Sequence, residues 1–106
     1  MKLVIVADDT RVCIDNVCYD GCDLSALDPS IHAIQWDNQW GEIEYKSVFQ
    51  DGQIVKPNNQ AITDISSYQW VVNIWNEAKA AEEAAIAAAL AELEENLNNA
   101  NEPNEA

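Results

Sequence analysis

The sequence predicts an α+β protein, a small antiparallel β-meander head followed by one long C-terminal α-helix. Short alternating or β-branched runs, separated by turn residues, indicate a β-rich head over residues 1–64. An alanine-rich stretch with large apolar residues at helical spacing indicates a helix over residues 65–98. Residues 99–106 are rich in asparagine and are predicted to form a disordered acidic tail.

The head is predicted to begin with a buried strand and a tight hairpin. Leu3–Ala7 is a continuous apolar run of the kind found in buried strands. Asp15 and Asn16 both tolerate a positive φ, and together they predict a two-residue hairpin turn. This turn sets Cys13 opposite Cys18 on the two neighbouring strands.

The three cysteines are predicted to be structural thiols without a metal ion. Cys13, Cys18 and Cys22 are spaced C-x4-C-x3-C, with His32 ten residues later, and this spacing fits no common zinc finger. The N-terminal apolar run is too short for a secretory signal, so we expect the chain to be made and kept in cytoplasm, where thiols are reduced. A disulfide between Cys13 and Cys18 would require later exposure to oxidising surroundings.

A second hairpin is the clearest β pattern in the chain. Residues 31–36 alternate, so that Ile34 and Trp36 share one face of a strand. Residues 42–46 alternate in the same way, with two glutamates that face water. An Asp-Gly pair at positions 51–52 then marks a further turn before a short strand.

The helix is predicted to start at a capping box and to have two parts. Ser66 and Gln69 have the spacing of a reciprocal side-chain cap. Four apolar residues of the first part are expected to dock it on the sheet: Tyr68, Val71, Val72 and Trp75. In the second part, large apolar residues recur at 4-3-4 spacing: Ile86, Leu90, Leu93 and Leu97. At ~1.5 Å per residue the helix would be roughly 45 Å long, so part of it must project into solvent or lie on another molecule.

The charge of the chain excludes some partners. The formal net charge is −14, and residues 76–106 carry 8 acidic residues against Lys79 alone. Such a surface repels nucleic acids and anionic membranes, because phosphate binding requires a basic patch. No stretch approaches the ~20 apolar residues of a membrane span. Such a charge suits a basic protein partner, or it only keeps the chain soluble, which is the more common reason for it. We expect no nucleic acid and no membrane among the partners.

No catalytic, cofactor-binding or metal-binding site is predicted. His32 is the single histidine, and no serine or cysteine stands in a motif beside it. His32 could pair in space with Cys22, and Glu42 with Glu44 could form a carboxylate pair. An edge histidine and a solvated strand face explain the same residues more simply. The isolated glycines form no phosphate-binding loop.

The tryptophans and the second apolar stripe predict surfaces for protein contact. Four tryptophans exceed what a small core requires, and tryptophan is enriched in interfaces as well as in cores. We expect Trp36 and Trp75 to pack together between sheet and helix; core packing of all four tryptophans is the alternative. The candidate interface residues are Trp40, Trp70, Ile86, Leu90, Leu93 and Leu97.

Several short stretches together resemble a known group of proteins. They are residues 22–25 (CDLS), 31–36 (IHAIQW), 41–45 (GEIEY), 57–58 (PN) and 62–66 (ITDIS). This pattern resembles small uncharacterised proteins of tailed bacteriophages, which are often encoded among virion and tail-fibre genes. The resemblance spans about the first three-quarters of the chain and omits the alanine-rich part of the helix. It implies synthesis in host cytoplasm, a place in the virion and a structural role, and it supplies no catalytic residues.

Three functions are compatible with these features, and none of them is enzymatic. The first is a minor virion or tail-associated component, whose partners are other phage virion proteins or further copies of the chain. The second is an acidic inhibitor that imitates a nucleic-acid backbone in a basic groove of a host protein. The third is a chaperone of tail-fibre assembly that leaves the finished particle.

Overall fold

The computed structural model describes residues 1–101 and has the α+β fold that the sequence predicts, an antiparallel β head followed by one long C-terminal helix. A 3-10 turn at Ser66–Tyr68 leads into helix α1, which comprises Gln69–Asn101. The strands are β1 (Lys2–Val6), β2 (Arg11–Ile14), β3 (Val17–Tyr19), β4 (Ile31–Asp37), β5 (Trp40–Tyr45), β6 (Val48–Gln50), β7 (Gln53–Val55) and β8 (Gln60–Ile62).

Six of the strands form one sheet in the order β3-β2-β1-β4-β5-β8, and β6 pairs with β7 alone. The first strand therefore lies in the middle of the sheet, because β4 pairs with β1 rather than with β3. The predicted turn between β2 and β3 is confirmed, since Asp15 and Asn16 have φ values of 49° and 71°. Its register is also as predicted, with Cys13 opposite Cys18.

One face of the sheet carries the core. Leu3 and Ile5 of β1 are completely buried, and Ile34 and Trp36 lie in the same cluster, as predicted. Ile31 also belongs to this cluster, although strict alternation would place it on the opposite face from Ile34. The register between β4 and β5 shifts at this point, and such a β-bulge adds one residue and reverses the alternation.

Helix α1 docks on the sheet through its first turns. Val71 is completely buried, and the indole Nε1 of Trp75 donates a hydrogen bond to the Val17 carbonyl at 2.8 Å. The ring of Trp75 meets the edge of the Tyr19 ring, with the centroids 5.7 Å apart. Trp36 and Trp75 are both buried in the core cluster, and the aromatic partner of Trp75 is Tyr19. The helix is thus fastened over β2 and β3, at one edge of the sheet.

The predicted capping box at Ser66 is wrong. The side chain of Ser66 does not cap the helix; instead, the Ser66 backbone N–H donates to Oδ1 of Asp64 at 2.9 Å. Gln69 donates its side-chain amide forward to Asn73 at 3.2 Å. The helical segment starts instead after an Asx turn at Asp64, which leads into a 3-10 turn before the α-helix.

The helix is longer than predicted. It includes Asn99–Asn101, which the sequence assigned to the tail; the remaining tail residues, 102–106, lie outside the described part of the chain. Every residue from Lys79 to Ala100 is exposed. The radius of gyration is 21.3 Å, against about 13 Å for a compact chain of this length, and the longest extent is 84 Å. The second part of the helix therefore extends well beyond the head.

Cys13 and Cys18 form a disulfide, which corrects the prediction that they are free thiols. They face each other two residues from the hairpin turn, where opposite side chains are at their closest in an antiparallel pair. Cys22 is the free cysteine of the chain and is buried. The hairpin register that the sequence does predict is what brings the two sulfurs together.

Removal of this disulfide should have a modest effect on stability. The bond closes a loop of only a few residues, and the chain-entropy relation then gives about 2 kcal/mol. We expect the Cys13→Ser/Cys18→Ser variant to lose about that amount in urea unfolding followed by circular dichroism. The native chain with a reducing agent should unfold like the variant; no difference between oxidised and reduced protein would contradict this expectation.

Replacement of Trp75 should loosen the helix from the head. Trp75→Phe removes the donor to the Val17 carbonyl and shortens a buried side chain, so we expect a loss of about 1–3 kcal/mol in urea unfolding. Trp40→Phe is the matched control, since Trp40 is exposed and its replacement should change stability by no more than about 0.5 kcal/mol. Equal effects of the two substitutions would contradict the role given to Trp75.

The Asx turn at Asp64 should make the stability of the folded chain depend on pH. Hydrogen bonds from Ser66 lower the pKa of Asp64 below its usual value. A carboxylate with a lowered pKa stabilises the folded chain above its usual pKa, and this stabilisation is lost as the pH falls through the folded value. We expect Asp64→Ala to be less stable than the native chain at pH 6 and the difference to shrink below about pH 4. Urea unfolding over this range measures it; a constant difference would contradict the assignment.

Candidate functional site

Four large apolar side chains form an exposed row on the second part of the helix. We call this row the helix seam: Ile86, Leu90, Leu93 and Leu97. Each of these side chains is between 51% and 56% exposed, although all four are large and apolar. Their 4-3-4 spacing places them in one row along the helix. The sequence predicted all four as interface residues, and the structure brings them together on one open surface.

The helix seam continues the side of the helix that docks on the head. Ile86 follows Trp75 by eleven residues, which is close to three helical turns, so both side chains point to the same side. Between them this side of the helix carries Lys79, Glu82 and Glu83, so the helix seam is a separate apolar row that begins beyond the docked turns. Val17, in the edge strand β3, is itself exposed.

Acidic side chains lie at the head end of the helix seam and beside it. Glu94 flanks the row on one side and Glu82 on the other, towards the head, and Glu83 continues the line of the row in the same direction. Burial, and then the nearby Glu82, raise the pKa of Tyr19. The single cation of this helix, Lys79, lies 3.8 Å from Glu83 and 5.5 Å from the centroid of the Trp75 ring. Residues 80–101 contain no lysine or arginine.

The two tryptophans proposed for the interface lie in different surroundings. Trp40 begins β5 and is 52% exposed, and it borders a shallow cleft of about 230 Å³ on the face of the sheet opposite the core. Trp70 is half-buried and packs against the core cluster. Trp40 is therefore available for contact, whereas much of Trp70 is used within the head. The other residues lining the cleft are Lys2, Val4, Gln35, Trp36 and Asp37.

A second apolar surface, which the sequence analysis did not identify as a contact site, is the β6–β7 hairpin. Phe49 and Ile54 stand opposite each other across its two strands, and each is 77% exposed. The turn is formed by Asp51 and Gly52, both with positive φ, as their sequence predicts. The sequence does contain a signal for this surface. An isolated two-stranded hairpin is only marginally stable in water, so apolar residues on such a hairpin indicate a contact.

The polar residues of the head form a cleft of about 400 Å³ on the other end of the sheet. Lys46 lies 3.2 Å from Asp8, and Nδ1 of His32 lies 3.6 Å from the same carboxylate. Lys56 lies 2.7 Å from Glu44, and this ammonium group lowers the pKa of Glu44. The charges thus pair with each other and offer little net charge to an ionic ligand. The lining is completed by Tyr45 and Ser47.

Cys22 and Glu42, which the sequence analysis considered as reactive groups, are engaged in contacts that stabilise the head. Cys22 is buried, which raises its pKa and disfavours the reactive thiolate, and its thiol donates to the Tyr19 carbonyl at 3.5 Å. Glu42 accepts a hydrogen bond from the side chain of Asn59 at 3.3 Å. Within residues 1–101, no group of three histidine, cysteine or acidic side chains is arranged to hold a metal ion. No helix in the same range is long and apolar enough to cross a membrane.

Comparison with known proteins gives no match: no family model, no curated protein and no solved structure is significantly similar to this chain.

Proposed function

We propose that this chain is a non-enzymatic structural or assembly protein of a tailed bacteriophage, a minor virion or tail-associated component that acts through contacts of its β head and its helix. The observation that carries the proposal is the helix seam, a row of four large apolar side chains on a helix that extends beyond its own core. Scattered apolar side chains are ordinary on a protein surface, but an aligned row of this kind is typical of a contact surface. The phage origin rests on the sequence resemblance.

The energetics favour a contact that uses the head as well as the helix. Burying the exposed half of an isoleucine or leucine contributes about 1 kcal/mol, so the four residues of the seam contribute about 4 kcal/mol. Association costs at least about 4 kcal/mol in lost freedom of motion. The seam's own side chains would thus about offset this cost, and the apolar side chains of the covering molecule, buried in the same contact, supply net affinity. Trp40 and the Phe49–Ile54 pair are the exposed apolar groups of the head that can supply the rest.

The carboxylates of the head favour assembly over imitation of a nucleic acid. Asp15, Asp23 and Asp28 each accept a hydrogen bond from a backbone N–H in or near a turn. Asp20 pairs with Arg11 at 2.6 Å. These four carboxylates each stabilise local structure, whereas a protein that imitates a nucleic acid would present its carboxylates to a basic groove.

The proposal is tested by mass spectrometry of purified phage particles. We expect the native chain in the particles and expect Ile86→Glu/Leu90→Glu to be lost from them, because two charges would be placed in the apolar contact. The matched control is Ala84→Glu/Ala88→Glu, which adds the same two charges at the same spacing on the opposite side of the helix. Absence of the native chain from particles and from their assembly intermediates would overturn the proposal.

A further inference from the structure

We infer that the molecule covering the helix seam is an amphipathic helix with lysine or arginine beside its own apolar residues, and that it is not a second copy of this chain. The inference rests on the proposed function and adds the chemistry of the partner. It follows from the spacing of the seam, from the charges beside it and from the absence of cations in this part of the sequence.

The spacing of the seam fits another helix. Residues at 4-3-4 spacing occupy alternating positions of a heptad, the pattern whose side chains insert between four side chains of a facing helix. The positions beside the row include Ala87 and Ala89, whose small side chains allow a neighbouring helix to approach closely.

The charges beside the seam decide which helix fits. Positions next to the apolar row of a paired helix set partner choice, because they face the partner's charged residues. In this register Glu94 lies beside the row on one side and Glu82 on the other, while Glu83 continues the line of the row towards the head. In a partner with lysine or arginine at the facing positions, each of these glutamates would meet an opposite charge.

A second copy of the chain would cover the helix seam poorly, because its helix carries the same negative charges. Residues 80–101 contain no lysine or arginine, so a copy in either orientation would bring only acidic or neutral side chains against these glutamates. The nearest cation, Lys79, already lies beside Glu83 and the ring of Trp75. The seam from Ile86 to Leu97 spans only ~18 Å, less than two heptads, which leaves little apolar contact to offset like-charge repulsion.

The test uses the full chain and two designed helical peptides with identical apolar heptad positions. One peptide carries lysine and the other glutamate at the positions beside the apolar row, and binding is measured by fluorescence anisotropy. We expect the lysine peptide to bind at least about tenfold more tightly than the glutamate peptide at about 50 mM salt. This preference should shrink at about 500 mM salt, because the contacts between charges are screened.

Two variants separate docking on the seam from general attraction to an acidic protein. Ile86→Glu/Leu90→Glu makes the chain more acidic, so unspecific attraction of the lysine peptide would increase, whereas docking on the seam should weaken about tenfold or more. Ala84→Glu/Ala88→Glu should bind at least as well as the native chain. Far-UV circular dichroism of both variants checks that the helix is retained.

Three results would overturn the inference: equal affinity for the two peptides, undiminished binding by Ile86→Glu/Leu90→Glu, or light scattering that shows a stable dimer of the native chain which this variant dissolves. The last result would identify a second copy as the occupant. The proposed function has a separate readout. Loss of the seam variant from phage particles, together with equal peptide affinities, would retain the assembly role and reject only the basic partner helix.

Discussion

The contact between Trp75 and the edge strand β3 determines the shape of the whole molecule. The indole donates to a strand carbonyl at 2.8 Å, and its ring packs on Tyr19, so the helix is held at one edge of the sheet and not across its middle. A helix of 33 residues that is fastened near its start at the edge of a six-stranded sheet has to leave the head. The exposed second part is a geometric consequence of this anchor.

The same geometry explains where the exposed apolar groups lie. The core needs one face of the sheet and the first turns of the helix, and these elements already bury its large residues. The helix seam, Trp40 and the β6–β7 hairpin all lie outside that layer. Because a small core is completed without them, their apolar surface is free for contacts with other molecules, which is the physical basis of the assembly role proposed above.

Charge and apolar surface have separate roles on the helix. Alanine gives the second part high helical propensity, so it stays helical without packing on the head. The glutamates add negative charge to this exposed rod, which favours solubility. In the inference drawn above, the apolar row supplies contact area and the glutamates near it select a partner helix by charge.

The sequence by itself determined the features that depend on neighbouring residues. The Asp15-Asn16 turn, the pairing of Cys13 with Cys18 and the exposed row from Ile86 to Leu97 follow from local backbone preference and periodicity. Only the tertiary structure decided the central position of β1 in the sheet and the bulge that turns Ile31 into the core, because both depend on pairing between distant segments. The disulfide and the Asx turn at Asp64 are local contacts, between residues five and two positions apart. The residue pattern places these partners close together, and the folded geometry decides which of their atoms bond.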